Sequence, residues 1–357
     1  MKKVCISTYC EPSSYGSVLQ AIGLKKTLRE IGFESFVVRD IPAPSTSKIF
    51  SFVVSANPKI LLKQVLNLAI NKKKTIGYTR SINYINDNVD VLYYNNYDVL
   101  CKNLPKADCY LAGSDQIWHP DLCKSAFFLD FVPLDKKRIS YAASMGKLEI
   151  ADKRESCFSQ LISNIDCISV RELDMVDVIR RFTDKNISQH IDPTFLLERE
   201  YWRRFSIEYK IDKPYILVYA IYWSSEHNKE LKKLHKKTGY DVVALCPSGF
   251  SKIWANKKIY DAGPGEFLYL IDHAEIVVSS SFHGVALALN FNKKIIPIIN
   301  PELPSRISSL LDCLGVERLP ILDAISFELS AYNQINKNIE KERRRAICYL
   351  KEVLDDA

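Results

Sequence analysis

The sequence predicts an α/β protein of two domains, each built on a parallel sheet, facing one another across a cleft. Three observations carry this. Short apolar runs rich in Val and Ile alternate with helically spaced apolar residues along most of the chain, the pattern of parallel strands joined by helices that cover both sheet faces. The alternation runs twice, over residues 1–200 and again over 201–328, with a polar helical insertion over about 45–105 in the first series. Finally, the 357 residues are 47% apolar, enough for two cores of ordinary size.

Taken in order, residues 4–8 read as a buried strand and Ser14-Tyr15-Gly16-Ser17 as a turn. Val18, Leu19, Ile22, Leu28 and Ile31 then mark one helix face, with Gly32 as its C-terminal cap. Residues 33–38 form a second strand, and 48–105 read as helices and loops. Strands resume at 108–112, 138–143 and 167–170, separated by helices over about 150–164 and 172–182; 189–191 is a last short strand before Asp192-Pro193. In the second series, 215–222 and 241–245 are strands on either side of a charged helix over 225–238. Gly263-Pro264-Gly265-Glu266 opens a helix. Strand 276–279, a helix from His283 and strand 295–299 follow, then helices over 305–314 and 329–355. The last segment, 329–357, is expected to pack back on the N-terminal domain, with Lys341-Glu342-Arg343-Arg344-Arg345 as a solvated helix face.

The formal net charge of +7 is spread over both halves. No basic tail or face points to nucleic acid, whereas a mildly positive surface suits anionic substrates or an anionic membrane face. Ten cysteines show no C-x-x-C pair and no zinc spacing, so they read as reduced, buried hydrophobes, and no metal site is expected. Cys5 and Cys10 are near enough in sequence to weigh as a redox pair, but nothing around them favours thiol chemistry. Met1-Lys2-Lys3 leads straight into a strand pattern, so no signal peptide is expected. The stretch 52–70 is interrupted by Pro58, Lys59, Lys63 and Gln64 and is too polar to span a bilayer. It reads as an amphipathic helix packed on its own domain or, alternatively, lying on a membrane with Asn71-Lys72-Lys73-Lys74 beyond it. The expected location is cytoplasmic, with peripheral contact at the inner membrane face as the alternative.

The residues that carry chemistry stand where strands end, which is where ligands gather in open α/β sheets. The run Ile276-Val277-Val278-Ser279-Ser280-Ser281-Phe282-His283-Gly284 reads as strand, tight turn and helix start, with His283 in the first helical turn. Free N–H groups and the positive end of the helix dipole suit an anion there, and a histidine can both hold phosphate and move a proton. Gly113-Ser114-Asp115-Gln116-Ile117-Trp118-His119 follows another strand and offers a carboxylate, an amide and backbone donors; Asp115 serves either as a base or as a helix cap. Ser169-Val170-Arg171-Glu172 ends a strand with a guanidinium, which binds carboxylate or phosphate with two prongs or makes surface ion pairs. The Ser14–Ser17 turn lacks the dinucleotide G-x-G-x-x-G pattern, and Asp192-Pro193-Thr194 reads as a structural turn.

Together these segments resemble the polysaccharide pyruvyl transferase family. The matching pieces, in order, are Tyr15-Gly16-Ser17-Val18-Leu19-Gln20, Gly113-Ser114-Asp115-Gln116-Ile117-Trp118, Phe128-Leu129-Asp130-Phe131, Ile139-Ser140-Tyr141-Ala142-Ala143-Ser144, Ser169-Val170-Arg171-Glu172, Asp192-Pro193-Thr194, Glu266-Phe267-Leu268 and Ser281-Phe282-His283-Gly284. They span most of the chain outside 45–105. His119 departs from the family, which often has asparagine there. The resemblance implies two Rossmann-like domains in a GT-B-like arrangement, with the acceptor on the N-terminal side and the donor on the C-terminal side. It implies transfer of a pyruvyl group from phosphoenolpyruvate to two hydroxyls of one sugar in a surface-polysaccharide precursor, making a cyclic ketal and releasing phosphate. Arg171, Ser281, Phe282, His283 and Arg306 would hold the donor, and Tyr15, Gly16, Ser114, Asp115, Gln116 and His119 the acceptor. His283 would be the acid and Asp115 the base. No cofactor is implied beyond phosphoenolpyruvate as co-substrate, and the partner is a lipid-linked or nucleotide-linked sugar. The rival reading is a glycosyltransferase of the same architecture using a nucleotide-sugar donor, for which Glu266 is the one candidate ribose contact.

Overall fold

In the computed structural model, residues 1–44, 58–247, 252–303, 305–317 and 329–356 are described, with side chains described throughout except at 58–66 and 329. The first sheet contains β1 (Lys3–Ser7), β2 (Glu34–Arg39), β3 (Val91–Tyr93), β4 (Cys109–Ala112) and β5 (Arg138–Ser140), all parallel, in the order β3-β2-β1-β4-β5. Helix α1 (Tyr15–Glu30) connects β1 to β2 and is closed by Gly32 at φ 99°, a conformation open to glycine at no steric cost. A parallel pair, β6 (Ile168–Val170) and β7 (Ile187–Gln189), prolongs this sheet through an isolated bridge between Ile139 of β5 and Cys167. Helices α4 (Asp152–Ser163) and α5 (Asp174–Arg180) connect these strands, and a short helix, α6 (Arg199–Arg203), follows β7.

The second sheet contains β8 (Tyr215–Tyr219), β9 (Asp241–Leu245), β10 (Lys257–Ile259), β11 (Ile276–Ser279) and β12 (Lys294–Pro297), again all parallel, in the order β10-β9-β8-β11-β12. Helices α7 (Ser225–Thr238), α8 (Pro264–Asp272) and α9 (Phe282–Asn290) connect them, and α10 (Ser305–Leu314) and α11 (Tyr332–Asp355) follow. Both halves are thus Rossmann-like, with the strand order reversing beside the first strand of each.

Several sequence expectations shift. The stretch 45–105 holds a 31-residue helix, α2 (Pro58–Asn88), a short helix, α3 (Tyr97–Lys102), and an unforeseen edge strand, β3. Residues 52–57 of the expected amphipathic stretch lie outside the described residues, and 58–70 belong to α2. The strand expected over 138–143 stops at Ser140, because Ala142 takes a left-handed φ of 47°. The strand expected over 215–222 stops at Tyr219, because the following loop wraps around Ser280, whose hydroxyl accepts the N–H groups of both Ile221 and Tyr222 at 2.9 Å. The strand expected at 189–191 lies at Ile187–Gln189, since Ile191 and Asp192 leave it to cap a short 3₁₀ turn.

The halves are joined by more than the linking chain. Tyr15 of α1, Tyr219 of β8 and Phe267 of α8 pack with ring centroids 4.8, 5.1 and 5.9 Å apart. From α2, Arg80 donates to the carbonyl of Asp261 at 2.9 Å and Tyr84 to that of Phe205 at 2.8 Å. Helix α11 returns to the first half: Tyr349 donates to Ser140 O at 3.0 Å, and Lys2 reaches Asp355 O at 2.9 Å. The basic run on α11 is only partly the solvated face expected. Arg343 donates to Phe195 O at 2.8 Å and Arg345 to Gln189 O at 3.1 Å, while Arg344 is exposed beside Glu340.

Candidate functional site

The turn after β11 is built by its serines. Ser279 Oγ donates to Tyr219 O at 2.6 Å and accepts Ser281 N–H at 3.1 Å; Ser280 Oγ donates to Tyr222 O at 2.9 Å. These bonds fasten the start of α9 to the end of β8. Gly284 is needed there, because a Cβ would lie 2.3 Å from Ser279 Oγ. Ser281 occupies the N-cap of α9, but its hydroxyl does not cap the helix. Ser279 and Ser280 are therefore structural, and the first turn of α9, with Phe282 and His283, is fixed at the mouth of the second sheet.

His283 is 5% exposed. Its ring rests on Gly16 of α1, where a Cβ would stand 2.1 Å from Nδ1. Nε2 faces Asp192 Oδ2 at 3.7 Å and has no hydrogen-bond partner among the described residues. Asp192 is fully buried and also holds Arg171, whose Nη1 donates to Oδ2 at 2.9 Å, while its other oxygen accepts Thr194 N–H at 3.0 Å and Thr194 Oγ1–H at 2.8 Å. Burial pushes this carboxyl up, yet the facing His283 and Arg171 and the Thr194 N–H outweigh it and hold it well below the usual carboxylate range.

Arg171 Nε donates to Glu172 Oε1 at 2.9 Å, and its guanidinium lies 3.8 Å from the centroid of the Phe282 ring. Burial opposes its charge, but Glu172 and Asp192 raise its pKa further. Arg306, in the first turn of α10, stands 5.5 Å from the same ring, with Nη2 3.7 Å from Asp115 Oδ1. Its pKa is lowered by burial and by the charge of Arg171. Three nitrogen donors here are buried without a partner among the described residues: Arg171 Nη2, Arg306 Nε and His283 Nε2. Buried polar groups are as a rule satisfied. Unsatisfied nitrogens of two guanidiniums and an imidazole around one aromatic ring can receive an anion; Glu172 Oε2, beside Arg171, is buried without a partner among the described residues as well.

On the other side of Asp115 lies a cleft of about 210 Å³, lined by Tyr9, Glu11, Ser14, Asp115, Gln116 and His119 among others. Asp115 takes a left-handed φ of 70°, tolerated by Asp but sparsely populated, and Oδ1 accepts the N–H of Gln116 at 2.9 Å. Of the six residues expected to meet an acceptor, Asp115, Gln116 and His119 line this cleft. Tyr15 does not: it is 2% exposed and its hydroxyl donates to Ala262 O at 2.8 Å across the join between halves. Ser114 is fully buried, its hydroxyl placed between Ala142 O (2.8 Å) and Asp192 Oδ2 (3.2 Å). Gly16 gives its open face to His283. Sequence reasoning passed over Asp192, read as a turn, and Tyr9 and Glu11. All three follow the carboxyl ends of strands, the rule that picked out Arg171.

Among the described residues, no cluster of three His, Cys, Asp or Glu is arranged to hold a metal ion, and no helix is long and apolar enough to cross a membrane. Cys5 and Cys10 are buried, free thiols whose pKa values burial pushes up, that of Cys10 to about 12, which leaves them inert as a redox pair.

The sequence profile of polysaccharide pyruvyl transferases matches residues 15–301. The chain belongs to the polysaccharide pyruvyl transferase family. No curated protein matches this pyruvyl transferase significantly. Among solved structures it resembles UDP-GlcNAc 2-epimerase from Neisseria meningitidis bound to UDP-GlcNAc (13% identity, TM-score 0.53, all of both chains). It also resembles MnaA of S. aureus with UDP (12%, 0.56, 99% of this chain and 97% of that one), and UDP-GlcNAc 2-epimerase from Methanocaldococcus jannaschii (12%, 0.51, 98% and 99%). At such identities the likeness speaks to fold, and it is the GT-B-like arrangement of two Rossmann-like domains expected from the sequence.

Proposed function

We propose that this transferase moves a pyruvyl group from phosphoenolpyruvate to two hydroxyls of one sugar in a surface-polysaccharide precursor. The observation that carries the reading is the set of unpartnered donors on Arg171, Arg306 and His283 around Phe282. Phosphoenolpyruvate places a carboxylate and a phosphate on one carbon, and two guanidiniums, an imidazole and the start of α9 supply matching donors from both halves. His283 holds the donor and, through Nε2, protonates its methylene carbon, which turns the neighbouring carbon into an electrophile. The acceptor enters from the cleft beside Asp115, Gln116 and His119. The rest of the reaction is addition of one hydroxyl, then displacement of phosphate by the second.

The nucleotide-sugar alternative finds less support. Its candidate ribose contact, Glu266, is 4% exposed, accepts Gly263 N–H at 3.0 Å and pairs with Arg80 at 3.2 Å. That carboxylate is already engaged in capping α8 and joining it to α2.

The test is phosphate release from phosphoenolpyruvate with a panel of lipid-linked and nucleotide-linked sugars, alongside thermal shifts with phosphoenolpyruvate and UDP-sugars. The true donor stabilises the fold in proportion to its occupancy. His283→Ala should lower turnover by about 10²–10⁴-fold and abolish the shift with phosphoenolpyruvate; unchanged turnover in a folded variant rules the assignment out. The proposed setting is the cytoplasm, at or near the membrane face where such precursors are built.

A further inference from the structure

We infer that His119, and not Asp115, is the base that takes the proton from the attacking sugar hydroxyl. This rests on the pyruvyl-transfer reading above and assigns the half of the proton chemistry that the donor cradle leaves open.

The two candidates share one wall of the cleft but are held differently. Asp115 is tied down: one carboxylate oxygen accepts the N–H of Gln116 at 2.9 Å and faces Arg306 at 3.7 Å, on a backbone at φ 70°. Those contacts make it a positioning residue that keeps Arg306 over Phe282 and fixes the loop. His119 is half-buried in the same wall, and its Nδ1 is buried with no partner among the described residues. The charged groups that act on its ring are Asp121, Lys147 and Arg306; Lys147 and Asp121 already pair with each other at 2.8 Å, and Glu11 lines the same cleft. Burial, with Lys147 and Arg306, outweighs Asp121 and lowers the ring below its ordinary 6.5. The site thus favours the uncharged imidazole, the form with a lone pair to offer. An imidazole base also lies nearer the working pH than an ordinary carboxylate does.

The step balances. As the first hydroxyl oxygen bonds to the phosphate-bearing carbon, its proton passes to His119 while the proton of His283 goes to the methylene carbon. When the second hydroxyl closes the ketal, the carbon–oxygen bond to phosphate breaks. His119 returns its proton to the departing phosphate oxygen, and His283 takes the proton of the second hydroxyl. Both imidazoles end as they began, and the products are one ketal and one phosphate.

The experiment compares the unaltered enzyme with His119→Asn and His119→Ala in phosphate release from pH 5 to 9, at saturating phosphoenolpyruvate and with an acceptor that supports turnover. Thermal shift with phosphoenolpyruvate is measured on each as the check of fold and donor site. The expected result is a fall in kcat of about 10²–10⁴-fold, little change in KM for the sugar, loss of the acid limb of the pH profile, and partial rescue of His119→Ala by added imidazole. A kcat that is kept together with its acid limb overturns the inference, as does a loss confined to KM. If the unaltered enzyme releases no phosphate with any acceptor, the pyruvyl-transfer reading fails first, which the His119 variants alone would not show.

Discussion

The two sheets share one strand order, yet among the described residues only the first is prolonged. Among the described residues the second ends at β12, and its half contributes His283 from the turn after β11 and Arg306 from α10. The first continues through β6 and β7, and that continuation supplies Arg171 and leads into Asp192. Without it, the end of the first sheet would offer Asp115, Gln116 and Glu11, and its guanidinium, Arg39 at the end of β2, is already paired with Glu11. The fold settles where strand ends lie; the residue standing on each end settles what the cleft can bind.

The sharpest way to break this comparison is Arg171→Ala. It strands Asp192 and Glu172 in the interior, where an unpartnered charge costs about 3–5 kcal/mol. Urea unfolding should show that loss, and phosphoenolpyruvate-dependent phosphate release should vanish; full stability and rate would make the extra strands irrelevant to the donor. Next comes His190, which follows β7 and holds the prolongation in place. Its Nδ1 meets Ser169 Oγ at 2.8 Å and its ring lies 4.5 Å from that of Tyr349 on α11. Burial, with the charge of Arg345, pushes its pKa down to about 4. The fold thus disfavours the protonated ring, so stability is complete above the unfolded value near 6.5 and falls as the pH drops towards 4, by on the order of 3 kcal/mol. Thermal unfolding across that range should show the slope, and His190→Phe should flatten it.

Gly16→Ala sharpens the join between the halves. The added methyl must displace the imidazole of His283, at a cost of about 1–3 kcal/mol, and phosphoenolpyruvate should no longer raise the Tm. The smallest effect is expected from Glu266→Gln. Weakening the α8 cap and the pair with Arg80 should cost about 1 kcal/mol with phosphate release unchanged. A selective loss of UDP-sugar binding in that variant would revive the nucleotide-sugar reading.

Much of this was legible in the residues. Long periodic segments such as α1, α7 and α11 declare themselves, and so does Gly32, which alone fits its left-handed cap. Three-residue strands do not: Val91–Tyr93 and Lys257–Ile259 are edge strands whose existence depends on a neighbour already in place. In the site, the strand-end rule located His283, Arg171 and Asp115 because it concerns backbone topology. It could not tell a hydroxyl facing the cleft from one bonded inward, which is why Tyr15 and Ser114 were expected at the acceptor and lie in packing instead. Asp192 was hidden by its own proline, since Asp-Pro reads as a turn and its buried pairing with Arg171 is a long-range fact.

The polypeptide passes between the halves and then comes back. It leaves the first after Leu197 and returns along α11, whose start holds Leu314 O through Asn338 and whose end lies beside Lys2. A body attached at one point can swivel freely; one attached at two can only swing about the line through them, as a door does on a pair of pins. Any shift of one half against the other would therefore load both attachments at once, and would have to part the aromatic trio at the seam.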